Sequence, residues 1–174
     1  MNQNQEKQPT VFIVDDDPAI RFAMQALMDS VNIDHEIFPS GDEFLENVDD
    51  HRAGCIVLDI RMPGLGGLEL QEELIKRGST LPIIFITGHG DVPMAVDAMQ
   101  KGAVDFIQKP FRDQDLLDRI REALKTDQER REEQQKHAEV AERLARLTNR
   151  EREVFDLVVT GKPNKVIAYE LGVS

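Results

Sequence analysis

A single cysteine, Cys55, rules out an internal disulfide, and a reducing cytoplasm is the expected compartment. No apolar run approaches the roughly 20 residues that a membrane-crossing helix needs. The stretch 1–9 is polar and lacks the basic-then-apolar layout of a secretion signal. Positive charge is scarce: 21 Lys and Arg stand against 33 Asp and Glu, a formal net charge of -12. That balance argues against a general nucleic-acid coat, while leaving room for a small DNA-reading module. No Walker-type phosphate loop is present, so ATP use is not expected. Gly64, Gly66 and Gly67 fall short of a dinucleotide loop, which would need a glycine where Glu69 stands. His35, His51, His89 and His137 are scattered and need not converge on a metal. What is present has an ordinary globular composition, 40% hydrophobic and 31% charged. Its 174 residues fit one full domain plus a remainder.

Four short apolar runs, at 11–14, 55–58, 83–86 and 104–107, are rich in Val, Ile or Phe and bounded by Asp, Gly or Pro. Continuous runs of that length suit strands buried on both faces, hence a parallel sheet. A weaker run at 35–38 is a fifth candidate. Helical patterns lie between them. The segment 18–30 puts Ile20, Met24, Leu27 and Met28 on one face and opens with Pro18, which suits a first helical turn. A short helix is expected at 42–48. The segment 68–77 spaces Leu68, Leu70, Leu74 and Ile75 along a face and stops at Gly78; 92–101 carries Val92, Val96 and Met99 and stops at Gly102. A last helix starts near Asp113 and buries Leu116, Leu117, Ile120 and Leu124. This alternation predicts an α/β fold, a doubly wound five-stranded parallel sheet with right-handed crossovers. After Lys125 apolar residues almost vanish up to Lys136, and opposite charges sit four apart, as in Asp127/Arg131 and Glu132/Lys136. One long solvated linker helix is expected over 125–146. Ala138, Ala141 and Ala145 offer a weak seam for a second copy; a spacer helix with no partner is at least as good a reading.

In open parallel sheets, ligands collect at the carboxyl ends of the strands. There the sequence puts Asp15, Asp16 and Asp17 after the first strand, Asp59 after the third, Thr87 and Gly88 after the fourth, and Lys109 and Pro110 after the fifth. Crowded carboxylates raise one another's pKa unless a cation sits among them. The donors on offer are oxygens, which points to Mg2+ or another hard cation such as Mn2+. A carboxylate beside such an ion is placed to be a nucleophile and to form an aspartyl phosphate. Lys109 and the Thr87 hydroxyl would then neutralise and hydrogen-bond the transferred oxygens. Each residue alone is ordinary, since Asp after a strand is a common turn former; the set carries the reading.

The strings Val14-Asp15-Asp16-Asp17, Leu58-Asp59-Ile60-Arg61-Met62-Pro63, Ile86-Thr87-Gly88-His89 and Phe106-Ile107-Gln108-Lys109-Pro110 resemble the receiver domains of two-component response regulators, over about 11–124. Within that family the sequence is most similar to the FixJ group. The resemblance implies a flavodoxin-like sheet with Asp59 as phosphoacceptor. It implies that Asp15 and Asp16 bind the metal together with Asp59 and the backbone carbonyl of Arg61. It implies that Lys109 and Thr87 contact the phosphoryl group, that the Lys109–Pro110 bond is cis, and that a sensor histidine kinase is the phosphoryl donor. In the expected switch, the Asp59 phosphate attracts the Thr87 hydroxyl, the loop 87–91 moves inward and the Phe106 ring fills the space. The face 92–106 then changes shape and pairs two copies into a homodimer. His89, in the same loop, is a candidate for tuning dephosphorylation.

A second unit is expected from Leu147. Thr148 and Glu151 read as a capping box. An amphipathic helix with Val154, Phe155, Leu157 and Val158 ends at Gly161, and another over 164–171 ends at Gly172. The segment 147–174 resembles the opening of a LuxR-type helix-turn-helix domain, whose recognition helix is expected after Ser174. That helix is the one that reads base edges. Promoter DNA is thus an expected partner of the complete protein only, and weak DNA binding or none is expected of this chain. The expected layout is a receiver domain over 1–124, a linker helix over 125–146 and part of a DNA-binding domain over 147–174. Its expected role is phosphorylation-controlled transcription control, with no catalysis beyond its own phosphorylation and dephosphorylation. A phosphatase using Asp15 and Asp17 is the first rival; Ala19 stands where Thr or Val is wanted, and Asp59 is left unexplained. An adaptor acting through protein binding alone is the second, and the segment 147–174 argues against it.

Overall fold

The computed structural model describes residues 8–88 and 91–173. The chain divides into two compact units, Met1–Arg130 and Arg131–Ser174. In the first, strands β1 (Thr10–Val14), β2 (His35–Phe38), β3 (Gly54–Asp59), β4 (Ile83–Thr87) and β5 (Asp105–Gln108) form one parallel sheet in the order β2-β1-β3-β4-β5. Helices α1 (Pro18–Ser30), α2 (Gly41–Asn47), α3 (Gly67–Lys76), α4 (Val92–Gln100) and α5 (Asp113–Ala145) alternate with the strands.

Successive strand residues point to opposite faces. Val11, Ile13, Val57, Ile84 and Ile86 pack with Met24 and Met28 of α1 and Leu116 and Ile120 of α5. Phe12, Val14, Ile56, Leu58 and Phe85 pack with Phe44 of α2, Leu70 and Leu74 of α3, and Ala95 and Ala98 of α4. The sheet is therefore covered on both sides, which is why its strands read as unbroken apolar runs. The doubly wound five-stranded sheet expected from the sequence is the one observed.

Two expectations about faces, on α3 and α5, need correction, and α4 has an outward apolar stripe. Ile75 is 53% exposed, because the buried stripe of α3 runs through Leu70, Gln71 and Leu74 and the next residue turns about 100° further round the axis. On α4 the buried residues are the small Ala95 and Ala98, while Val92, Val96 and Met99 face outward. On α5 the polar stretch is not wholly solvated. Asp127 is 1% exposed, and its carboxylate accepts a hydrogen bond of 2.9 Å from the Gly54 N–H at the start of β3. Gly54 has φ +145°, and a Cβ there would stand 1.8 Å from the Thr10 carbonyl oxygen, so no side chain fits.

The second unit holds the end of α5, with α6 (Asn149–Val159) and α7 (Asn164–Glu170). The expected capping box is present: the Thr148 hydroxyl accepts from the Glu151 N–H at 3.2 Å, and the Glu151 carboxylate accepts from the Thr148 N–H at 2.7 Å. The Arg150 guanidinium donates to the Leu171 carbonyl, tying α6 to the end of α7. Among the described residues, no helix is long and apolar enough to cross a membrane.

Candidate functional site

β1 and β3 are neighbours although β2 lies between them in sequence, so connections leave their carboxyl ends in opposite directions and open a crevice. The residues just past those ends fill it. Asp15 follows β1 and is 1% exposed. One of its oxygens accepts from the Asp17 N–H at 2.8 Å; the other, Oδ2, is buried without a hydrogen-bond partner. Asp16 is exposed and Asp59, the last residue of β3, is half-buried; oxygens of Asp15, Asp16 and Asp59 all lie within 4.8 Å of one another. Lys109, just past β5, places its Nζ 3.9 Å from Asp15 Oδ2 and 4.0 Å from Asp59 Oδ1. The Lys109–Pro110 bond is cis. Asp17 is spent elsewhere: its carboxylate accepts from the Ala19 N–H at 2.8 Å and caps α1.

Burial, with the Asp15 charge beside it, pushes the Asp59 carboxyl up to about 6 against the pull of Lys109 and the Arg61 N–H. Burial also raises Asp15, against a backbone hydrogen bond from Asp17 and the charge of Lys109. A buried and a half-buried carboxylate that resist ionising, the first with an orphaned oxygen, make an all-oxygen donor set suited to a hard divalent cation. One ammonium at 4 Å offsets only part of their charge.

Thr87 ends β4, is fully buried, and its hydroxyl donates to the Ile107 carbonyl at 3.4 Å. Phe106 lies on β5, half-buried against the core. Arg61 sits in the loop after β3, with its guanidinium paired to Asp91. His89 lies outside the described residues. Two participants escaped sequence reasoning. Gly67 opens α3 where a Cβ would come 2.4 Å from the Asp59 carbonyl oxygen, so glycine lets the helix close on the acceptor's backbone. Asp91 is 4% exposed; the sequence placed it only as the end of the 87–91 loop, with no partner of its own.

A parallel sheet in this strand order, carrying an acidic cluster and a lysine on its carboxyl rim, defines a receiver module. Residues 11–121 match the family described as "Response regulator receiver domain", and residues 145–174 match "Bacterial regulatory proteins, luxR family". The chain belongs to the two-component response regulators that join a receiver domain to a LuxR-type DNA-binding domain. It is 46% identical to Nodulation protein W of Bradyrhizobium diazoefficiens, over 94% of this chain and 72% of that one. Among solved structures, response regulator StyR has a TM-score of 0.86 at 43% identity, covering 97% of this chain and 85% of that one. Full-length FixJ from B. japonicum has a TM-score of 0.68 at 37% identity, covering 97% and 83%. A receiver domain implies a histidine kinase partner, and the LuxR-type domain implies DNA binding.

Proposed function

We propose that Asp59 accepts a phosphoryl group from a sensor histidine kinase, with Mg2+ or Mn2+ held by Asp15, Asp16, Asp59 and the backbone carbonyl of Arg61. The supporting observation is the meeting of three carboxylates within 4.8 Å at one rim, with Lys109 about equally far from two of them at 3.9 and 4.0 Å. Bound there, the ion would neutralise the carboxylates and polarise the phosphoryl oxygens. The chain's own residues do the rest. An Asp59 oxygen, unprotonated above about pH 6, forms the new O–P bond as the P–N bond to the donor histidine breaks. The Lys109 side chain donates to one phosphoryl oxygen. The Thr87 hydroxyl gives up the long bond to Ile107 and donates to another. The Phe106 ring moves into the space so opened, and the face 92–106 pairs two copies. In this reading residues 1–124 receive the signal, 125–146 connect, with Ala138, Ala141 and Ala145 as a second seam, and 147–174 belong to the DNA-binding part. The output is transcription control from the cytoplasm, and no external substrate is turned over.

Incubation with acetyl phosphate and Mg2+, read by intact mass and by sedimentation, tests this. The wild-type chain is expected to gain one phosphoryl group and dimerise, and Asp59→Asn to do neither. A phosphoryl group still added to Asp59→Asn would overturn the assignment. Thr87→Ala is expected to take the phosphate and stay monomeric.

A further inference from the structure

An ion pair at the same rim has no part in that scheme. Arg61, two positions past Asp59, donates from its Nε to one oxygen of Asp91, the residue before α4. The other Asp91 oxygen accepts from the Gly88 N–H at 3.1 Å, and the Asp91 N–H is directed back at the Gly88 carbonyl at 3.4 Å. The Asp91 side chain makes no capping bond to the first turn of α4; its oxygens serve the two loops instead. Asp91 is 4% exposed, whereas the Arg61 side chain is 68% exposed. A carboxylate that deep is costly without a cation. The partner that satisfies it is itself largely in solvent.

We infer that Arg61 and Asp91 form a clamp that holds Gly88 and the start of α4 in the resting arrangement, and that phosphorylation of Asp59 opens it by competing for the Arg61 guanidinium. The release step rests on the Asp59 reading. The aspartyl phosphate carries roughly -1.5 to -2 charge in place of the carboxylate's single one, two residues from Arg61, and its oxygens suit the planar guanidinium fork. Once Arg61 turns to it, Asp91 is left buried and uncompensated, and the resting position of Gly88 and α4 loses its support. Thr87 directly precedes Gly88, so the residue that carries the switch hydroxyl borders the released segment. The clamp thereby joins the chemistry at the end of β3 to the exposed apolar face of α4. Because such coupling is reciprocal, opening the clamp by mutation must tighten binding of a phosphoryl mimic.

Two measurements on the whole chain test this. The first is amide exchange of Gly88, Asp91 and Ala95 in the unphosphorylated protein. Exchange is expected to speed up in Arg61→Ala and Asp91→Asn and to stay near wild type in Arg61→Lys. Unchanged protection in Arg61→Ala would overturn the clamp. The second is the binding midpoint of beryllofluoride in Mg2+ buffer. Asp91→Asn, which frees Arg61, is expected to bind roughly tenfold tighter, within the usual range of coupling between sites. Arg61→Ala should gain less, since it loses the residue that would meet the mimic. Binding by Asp91→Asn no tighter than wild type would overturn the release step; a variant that was merely damaged would bind more weakly, the opposite sign. A wild-type chain that takes up no beryllofluoride would sink the Asp59 reading and the release step together, and the exchange result would still judge the clamp.

Discussion

At the scale of single residues, Asp59 is placed where ionising is costly. Its carboxyl is raised from 3.8 to about 6, first by burial and then by Asp15. Its side chain is 13% exposed, so solvent screens the effect little. Folding therefore takes up a proton between those two values. The stability linked to that proton is complete below 3.8 and is lost as pH rises through about 6. With about 1.4 kcal/mol for each tenfold change, the loss at neutral pH is at most roughly 3 kcal/mol. In metal-free buffer, Asp59→Asn should be more stable than wild type at neutral pH by up to that amount. The advantage should fade toward pH 4, as read by urea unfolding across the range. Mg2+ should narrow the gap at neutral pH by stabilising the wild type, since binding to the folded state alone adds stability. A gap that grew toward acid pH would contradict this account of the site.

At the scale of elements, Asp127 shows how a helix that looks solvated is fastened. Its carboxylate meets a buried backbone N–H 73 residues away. Asp127→Ala leaves that N–H without its acceptor, at a cost of roughly 1–3 kcal/mol. Asp127→Asn keeps an oxygen there and should lose less, which chemical denaturation can measure. Equal losses in the two would mean the charge, not the hydrogen bond, matters. Nothing local in the sequence announced this contact, since neighbours of Asp127 are polar and its partner is a distant glycine. The same holds for Arg61 and Asp91, brought together from loops 30 residues apart. By contrast, the strands were legible because burial on both faces leaves a continuous apolar run. Asp15, Asp16, Asp59 and Lys109 were legible because each directly follows such a run, and parallel strands deliver their ends to one rim. The outward turn of α4 was expected from the family resemblance and not from periodicity. Periodicity finds a stripe of large apolar residues, but Ala95 and Ala98 allow the helix to sit close to the sheet with its small side inward.

At the scale of the whole molecule, that outward stripe is the surface with most to say about assembly. Val92, Val96 and Met99 are 46%, 47% and 37% exposed, and Val104 beside β5 is 40% exposed. Lys101, at the end of α4, has its ammonium tied to Glu72 at 2.7 Å and Asp97 at 2.8 Å, so the patch has no loose cation of its own from that residue. Exposed apolar residues grouped in this way mark an interaction surface more often than scattered ones do. If phosphorylation pairs two copies here, a charge placed at Val96 must enter a desolvated interface without a partner. Val96→Asp should weaken the phosphorylated dimer by about 1.4 kcal/mol or more, roughly tenfold, while still accepting the phosphoryl group. Phe22 supplies the control. It is 74% exposed on α1, which packs on the opposite face of the sheet from α4. Phe22→Asp should leave the dimer unchanged in the same sedimentation measurement with acetyl phosphate. The reverse pattern, a dimer lost with Phe22→Asp and kept with Val96→Asp, would move the interface to the α1 side and separate dimerisation from the clamp at Asp91.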